Sequence, residues 1–154
     1  MLTRKGKYGL KAMIHLARLP AGQLAFVGTI AAQNQISKKF LDTILSELRQ
    51  AGFVQSRLGK GGGYQLARPA EEIRVGHIVR VLDGPLAPFP CASRTRFQPC
   101  EDCDMSRCQV RLMMLDVRNA IADVLDGRTL AEMRDMDVLA GSAAPELAPT
   151  GTGS

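Results

Sequence analysis

Residues 36–67 read ISKKFLDTILSELRQAGFVQSRLGKGGGYQLA. Ser37 is a strong start signal, because its hydroxyl can accept from the unpaired N–H groups of a first helical turn. Behind it Phe40, Leu41, Ile44, Leu45 and Leu48 recur at helical spacing and form one continuous apolar face. Gly52 stops the helix with the residue best suited to a left-handed cap. Two short strand-like runs, FVQSRL and YQLA, then flank the turn GKGGG, which predicts a β-hairpin with a glycine-rich tip. The lysine in that turn does not make it a nucleotide loop. Such a loop needs Gly-Lys followed by Ser or Thr opening a helix, and here Gly61 follows Lys60.

Working upstream, Leu10, Met13, Ile14 and Ala17 predict a helix over residues 3–18, ended by Pro20 and Gly22. Leu24–Val27 is a short apolar stretch suited to one small strand, and 29–34 predicts a short second helix. Downstream, IRVGHIVRVL at 73–82 predicts another helix, closed by Asp83-Gly84-Pro85. The expected fold is therefore mainly α with a small β-hairpin. The order of elements is that of a winged helix-turn-helix over residues 1–84, in which the Ser37-capped helix reads the major groove. Its outward residues Ser37, Lys38, Lys39, Asp42 and Thr43 are the candidate readers. Arg57 and Lys60 at the hairpin tip can reach the backbone or minor groove, where glycines such as Gly61 and Gly62 permit close approach.

The charge distribution agrees. The chain carries a formal +5, yet residues 1–68 hold a net +9 and residues 69–154 a net −4. A basic half joined to an acidic half suggests a nucleic-acid module attached to something else. No apolar run approaches the ~20 residues of a membrane span, and the start MLTRKGKYGLKAM shows no signal-peptide pattern. The expected location is the cytoplasm. Neither a catalytic pair nor a cofactor fingerprint is evident, so no enzymatic activity or small-molecule substrate is expected.

All four cysteines fall within residues 91–108, CASRTRFQPCEDCDMSRC. The spacing C-x8-C-x2-C-x4-C, in a loop at 85–108 that prolines keep irregular, suits soft thiolate ligation by Cys91, Cys100, Cys103 and Cys108. An iron–sulfur cluster, structural zinc and a redox dithiol are all compatible with it. Arg94, Arg96 and Arg107 favour thiolates, while Glu101, Asp102 and Asp104 oppose them. A disulfide is the poorest fit to a cytosolic protein.

A long helix is expected from about Arg107 to Asp126, within a segment 109–135. Val110, Met114, Val117, Ile121 and Val124 step by 4, 3, 4, 3, a heptad seam. A helix packed on its own domain needs only a wider stripe, which Leu112, Met113, Leu115 and Leu125 supply. The reading favours a homodimer contact, since the helix is far from the first core and unusually apolar. Residues 136–154 are small, polar and Pro/Gly-rich, and are expected to be disordered.

LTRKGKYGLKAM, ISKKFLDTILSELRQAGFV and GKGGGYQLARPAEEIRVGHIVRVLDGP, then a cysteine cluster and a long helix, resemble the IscR/NsrR family of bacterial regulators, also called the Rrf-two family. The resemblance covers roughly residues 1–133. It implies a winged-helix homodimer that binds operator DNA, as a repressor here, with an iron–sulfur cluster (2Fe–2S or 4Fe–4S) in the cysteine loop setting DNA affinity. Zinc is the alternative. It also extends the DNA-contacting set to Thr3, Lys5 and Tyr64. Two departures matter. Leu58 stands where well-studied members place an arginine before the wing glycines. Arg111 and Lys7 occupy positions that supply a non-cysteine ligand elsewhere in the family, so the fourth cysteine is the expected substitute.

Overall fold

The computed structural model describes residues 2–136. The disorder expected for 136–154 concerns, from 137 onward, residues outside those described. The elements are α1 (Arg4–Ala17), α2 (Val27–Asn34), α3 (Lys38–Gln50), β1 (Val54–Arg57), β2 (Gly63–Leu66), α4 (Val75–Asp83), α5 (Gln109–Asp126) and α6 (Leu130–Arg134). Short 3-10 turns lie at Ala70–Glu72 and Pro90–Ala92. The architecture is mainly helical, with one two-stranded antiparallel hairpin.

The core forms where three amphipathic faces meet. Helix α1 contributes Leu10, Met13 and Leu16, α3 contributes Leu41, Ile44, Leu45 and Leu48, and α4 contributes Val75, Ile78, Val79 and Leu82. Ser37 caps α3 as expected, its hydroxyl accepting from the Phe40 N–H at 3.2 Å. The turn between α2 and α3 is tight because Gln35 adopts a left-handed conformation (φ 56°), and its N–H returns to the Ala31 and Ala32 carbonyls. No glycine or asparagine marks this turn, so nothing in the residue type announces it.

The hairpin pairs Val54 with Leu66 and Arg57 with Gly63. The apolar stretch at 24–27 contributes a single bridge, Ala25 to Tyr64, with N–O distances of 2.9 and 2.8 Å. Helix α2 then starts at Val27, two residues before the expected Thr29. Gly63 is required at this crossing. Its φ is +150°, and a Cβ there would lie 2.5 Å from the Ala25 carbonyl oxygen. Gly63→Ala is therefore expected to destabilise the hairpin by about 1–3 kcal/mol. Hydrogen exchange of the Ala25 and Tyr64 amides, slowed in the parent and fast in the variant, checks this.

Residues 128–134, which the sequence reading placed with the long helix, return to the first core. The Val75 N–H donates to the Arg128 carbonyl at 3.0 Å, and the Leu130 N–H to the Ile73 carbonyl at 2.8 Å. Leu130 is fully buried, and Arg134 donates to the Ala17 carbonyl at 3.2 Å. Thr129 caps this last helix through the Glu132 N–H. Leu130→Ala is expected to cost about 2–5 kcal/mol, the range for a large-to-small change at a sealed site. Urea unfolding at equilibrium measures it.

Helix α5 divides its apolar residues between two faces. Ile121 and Leu125 pack against the core, and Ala122 is buried. Val110, Met113, Val117 and Val124 are exposed by 59, 59, 37 and 62 %. With the exposed Ala120 they step 3, 4, 3, 4. The exposed seam is thus rotated by one residue from the expected one. Val110, Val117 and Val124 stay on it, while Met113 and Ala120 replace the half-buried Met114 and Ile121. Ile121 turns inward because a helix advances about 100° per residue, which carries it toward the α1–α4 side.

Candidate nucleic-acid interface and cysteine site

Helix α3 is held by four buried residues and presents Lys38, Lys39, Asp42 and Thr43 to solvent. The Lys38 ammonium is 3.9 Å from the Asp42 carboxylate, with both side chains more than half exposed. Such a pair is worth ~0–1 kcal/mol and is readily exchanged for another anion. At the wing, Arg57, Leu58, Gly59, Lys60 and Gly61 are all exposed, Leu58 by 91 %. Gly62 is buried against the Arg57 carbonyl, and Tyr64 is half-buried on the core.

The two elements share one surface. An open cleft of about 350 Å3 is lined by Lys38 and Arg49 of α3, by Arg57 and Tyr64 of the hairpin, and by Phe26 and Gly28 at the start of α2. Arg49 was not singled out in the sequence, and it donates to the Ser56 hydroxyl at 3.3 Å. Its signal was available, since it follows Asp42 by seven residues, two turns along the same stripe.

Thr3 and Lys5 have partners within the chain. Thr3 caps α1, its N–H donates to the Asp83 carboxylate at 2.8 Å, and its hydroxyl also donates to that carboxylate. The Lys5 ammonium donates to Glu47 at 2.7 Å, tying α1 to α3. These partners lie 80 and 42 residues away, beyond the reach of local pattern. His15 packs between α1 and α2, with Nδ1 3.2 Å from the Asn34 amide nitrogen. Burial first, and then Arg18, lowers its pKa.

The cysteine loop brings the Cys100 and Cys103 thiols together, with the Asp102 carboxylate beside them. Cys103 lies beside Cys100, and the neighbouring Cys100 and Cys108 thiols push its pKa up to about 12. Cys100 contributes most, then desolvation, then Cys108. The Cys100 thiol donates to the Asp102 carboxylate at 2.8 Å, and the ligand atoms of Cys100, Asp102 and Cys103 all lie within 4.8 Å of one another. Cys108 caps α5, its sulfur accepting from the Arg111 N–H at 3.4 Å. Cys91 does not join this cluster among the described residues. Its carbonyl accepts from the Arg111 guanidinium at 3.0 Å, so Arg111 links the first cysteine to the helix that carries the last. This donor set fits a soft cation. Two sulfurs and a carboxylate already lie together, and bound positive charge would replace the thiol protons.

The model of the Rrf2 family, iron-dependent transcriptional regulators, matches residues 2–136. The chain belongs to the Rrf2 family. The HTH-type transcriptional regulator rrf2-like of Rhodobacter capsulatus is 38 % identical over 151 residues, covering 96 % of this chain and 98 % of that protein. Among solved structures, CymR, the global cysteine regulator of B. subtilis, is similar with a TM-score of 0.73 at 33 % identity, covering 89 % of this chain and 98 % of that one. The IscR of T. potens gives 0.70 at 32 % identity, covering 86 and 85 %. The winged-helix fold of this Rrf2 protein is shared with both. Its relatives are named as transcriptional regulators, so it is a DNA-binding regulator and not an enzyme. Among the described residues no helix is long and apolar enough to cross a membrane.

Proposed function

We propose that this Rrf2 protein is a cytoplasmic homodimeric repressor that reads operator DNA through α3 and the wing, and whose affinity is set by an iron–sulfur cluster in the cysteine loop. The observation that carries the reading is the shared cleft, which puts Lys38, Arg49 and Arg57 on one surface beside the glycine-rich tip. In this reading Ser37, Lys38, Lys39, Asp42 and Thr43 approach base edges and phosphates from the α3 N-terminus. Arg57, Lys60, Gly61 and Gly62 bring the wing against the backbone or minor groove. Thr3, Lys5 and Tyr64 support this face, because their partners fix α1 and β2 behind it.

Cys100, Cys103 and Cys108 would hold the cluster, with Cys91 as the fourth ligand. When bound, the cluster supplies a redox-responsive, oxidant-labile centre. The chain's own part is mechanical. Cys108 is both a candidate ligand and the cap of α5, so a change in the loop acts directly on the start of that helix. The exposed seam of α5 would pack on a second copy, and its orientation would set the distance between the two α3 helices and hence the match to two half-sites.

Binding of the full chain to its own promoter region, followed by fluorescence anisotropy across salt concentrations, tests the regulator reading. A steep salt dependence and a clear preference over random DNA are expected. Equal affinity for random DNA would overturn it. Anaerobic purification with iron, sulfide and zinc analysis tests the cofactor, and a colourless protein with stoichiometric zinc would replace the cluster by zinc. Val117→Glu is expected to yield monomer in sedimentation experiments, because it places a charge at the centre of the seam. An unchanged dimer would move the contact elsewhere.

A further inference from the structure

Arg118 of α5 is only 8 % exposed, yet among the described residues no carboxylate lies within ion-pair distance of it, Asp123 and Asp126 acting from further off. Its single hydrogen bond goes to the Asn119 side-chain oxygen at 2.7 Å. Among the described residues the ion pairs include neither Arg118, Arg94 nor Asp123. No buried side-chain nitrogen lacks a partner, so the remaining N–H groups of Arg118 must open on accessible space. That space is a cleft of about 370 Å3 lined by Arg94, Arg118, Asn119, Ala122, Asp123 and Asp126. Arg94, from the cysteine loop, donates to the same Asn119 oxygen at 3.3 Å, so two guanidinium groups converge there. Desolvation and then the charges of Arg94 and Arg80 lower the Arg118 pKa, outweighing the opposite pull of Asp126 and Asp123. Arg80 offers no relief, because it is itself a cation and its guanidinium already pairs with Asp126 at 2.6 and 2.8 Å.

We propose that Arg94, Arg118 and Asn119 form a binding site for a small anion, a carboxylate or an oxyanion. Guanidinium groups offer paired N–H donors that match such oxygens. The Arg118 N–H groups that open on the cleft lack a protein acceptor among the described residues, and a bound anion would supply one. Asp123 and Asp126 line the same cleft and limit the site to small ligands of low charge, because a bulky polyanion would meet their carboxylates. Arg118, Ala122 and Asp126 lie roughly 100–180° round the helix from Val117, so the site stays open when the exposed seam of α5 is covered. A ligand there would bridge the cysteine loop to α5 beside the Arg80–Asp126 pair. The assignment does not depend on what the thiols hold or on the DNA reading.

The test is titration of the full chain with sodium acetate, sodium sulfate and sodium chloride at matched ionic strength, following the arginine side-chain NMR signals. Saturation by acetate alone identifies a carboxylate site, and saturation by sulfate identifies an oxyanion site. Either supports the proposal if Arg94→Gln weakens binding at least tenfold. Arg94 is exposed, so this variant decides the matter even where Arg118→Gln fails to fold. Chloride curves matching the others, or affinity unchanged in Arg94→Gln, overturn the site. So does an Arg118 signal that moves only with protein concentration, which would assign its partner to a second copy.

Discussion

Replacing Lys38 and Lys39 together with alanine is expected to lower operator affinity by about two orders of magnitude or more while leaving the fold intact. Both side chains are exposed at the start of α3, and among the described residues the one ion pair they make is the loose contact to Asp42. Surface changes of this kind usually alter stability by less than ~0.5 kcal/mol. Each lost contact to a base or phosphate costs about 1–3 kcal/mol, and a dimer loses both copies. The slope of log affinity against log salt should fall by about 0.9 for each phosphate contact removed. Lys5 provides the contrast. Its ammonium is tied to Glu47, so Lys5→Ala should change affinity far less than the double variant. If the two perturbations were equal in anisotropy titrations, α3 would not be the reading helix.

Cys103→Ala is expected to remove metal from the protein almost completely, with bound metal per chain falling at least tenfold. Cys103 lies with Cys100 and Asp102 in the one cluster of candidate ligand atoms among the described residues, and both Cys100 and Cys108 act on its thiol. Removing it takes out a ligand and also separates the other two. Cys91→Ala should be milder, because Cys91 stands outside that group and Asp102 is at hand as a hard fourth donor. Metal analysis after anaerobic purification compares them. Full stoichiometric metal in Cys103→Ala would end the case for this ligand set. Circular dichroism should remain helical in both, since the loop lies outside the main core apart from Leu86 and Ala92.

Much of this was legible because the chain states it locally. The Ser37 cap, the apolar face of α3 and the paired runs around GKGGG each occupy fewer than twenty residues, and each formed as read. What was not legible depends on distant partners. Helix α6 offers only five residues, too few for periodicity to register, and it exists because Ile73 and Ala17 supply backbone partners far away in sequence. The exposed stripe of α5 differs by one residue from the expected seam because Met113 and Met114 are both apolar. Only the position of α1 and α4 decides which of two neighbouring stripes is covered. For the cysteines, spacing named four candidate donors but not that Cys100 and Cys103 would lie together. Nor did it show Cys108 serving as a helix cap or Arg111 drawing the Cys91 backbone to α5.

The end of α5 away from the cysteines has a mechanical consequence. Asp126 is gripped by both arms of Arg80, over a Gly76 that leaves no room for a Cβ, and four residues later the Leu130 N–H is fastened to the Ile73 carbonyl. Toward the opposite end, α5 meets the cysteine loop, through Arg111 to the Cys91 carbonyl and Asn119 to Arg94. Helix α5 is therefore a cantilever of 18 residues, about 27 Å long. Rotating it about its root by about 5° swings the tip by roughly 2 Å. Because the root is bolted to α4, which packs against α3, the arm's tilt is defined relative to the reading helix and not merely to the tail of the chain.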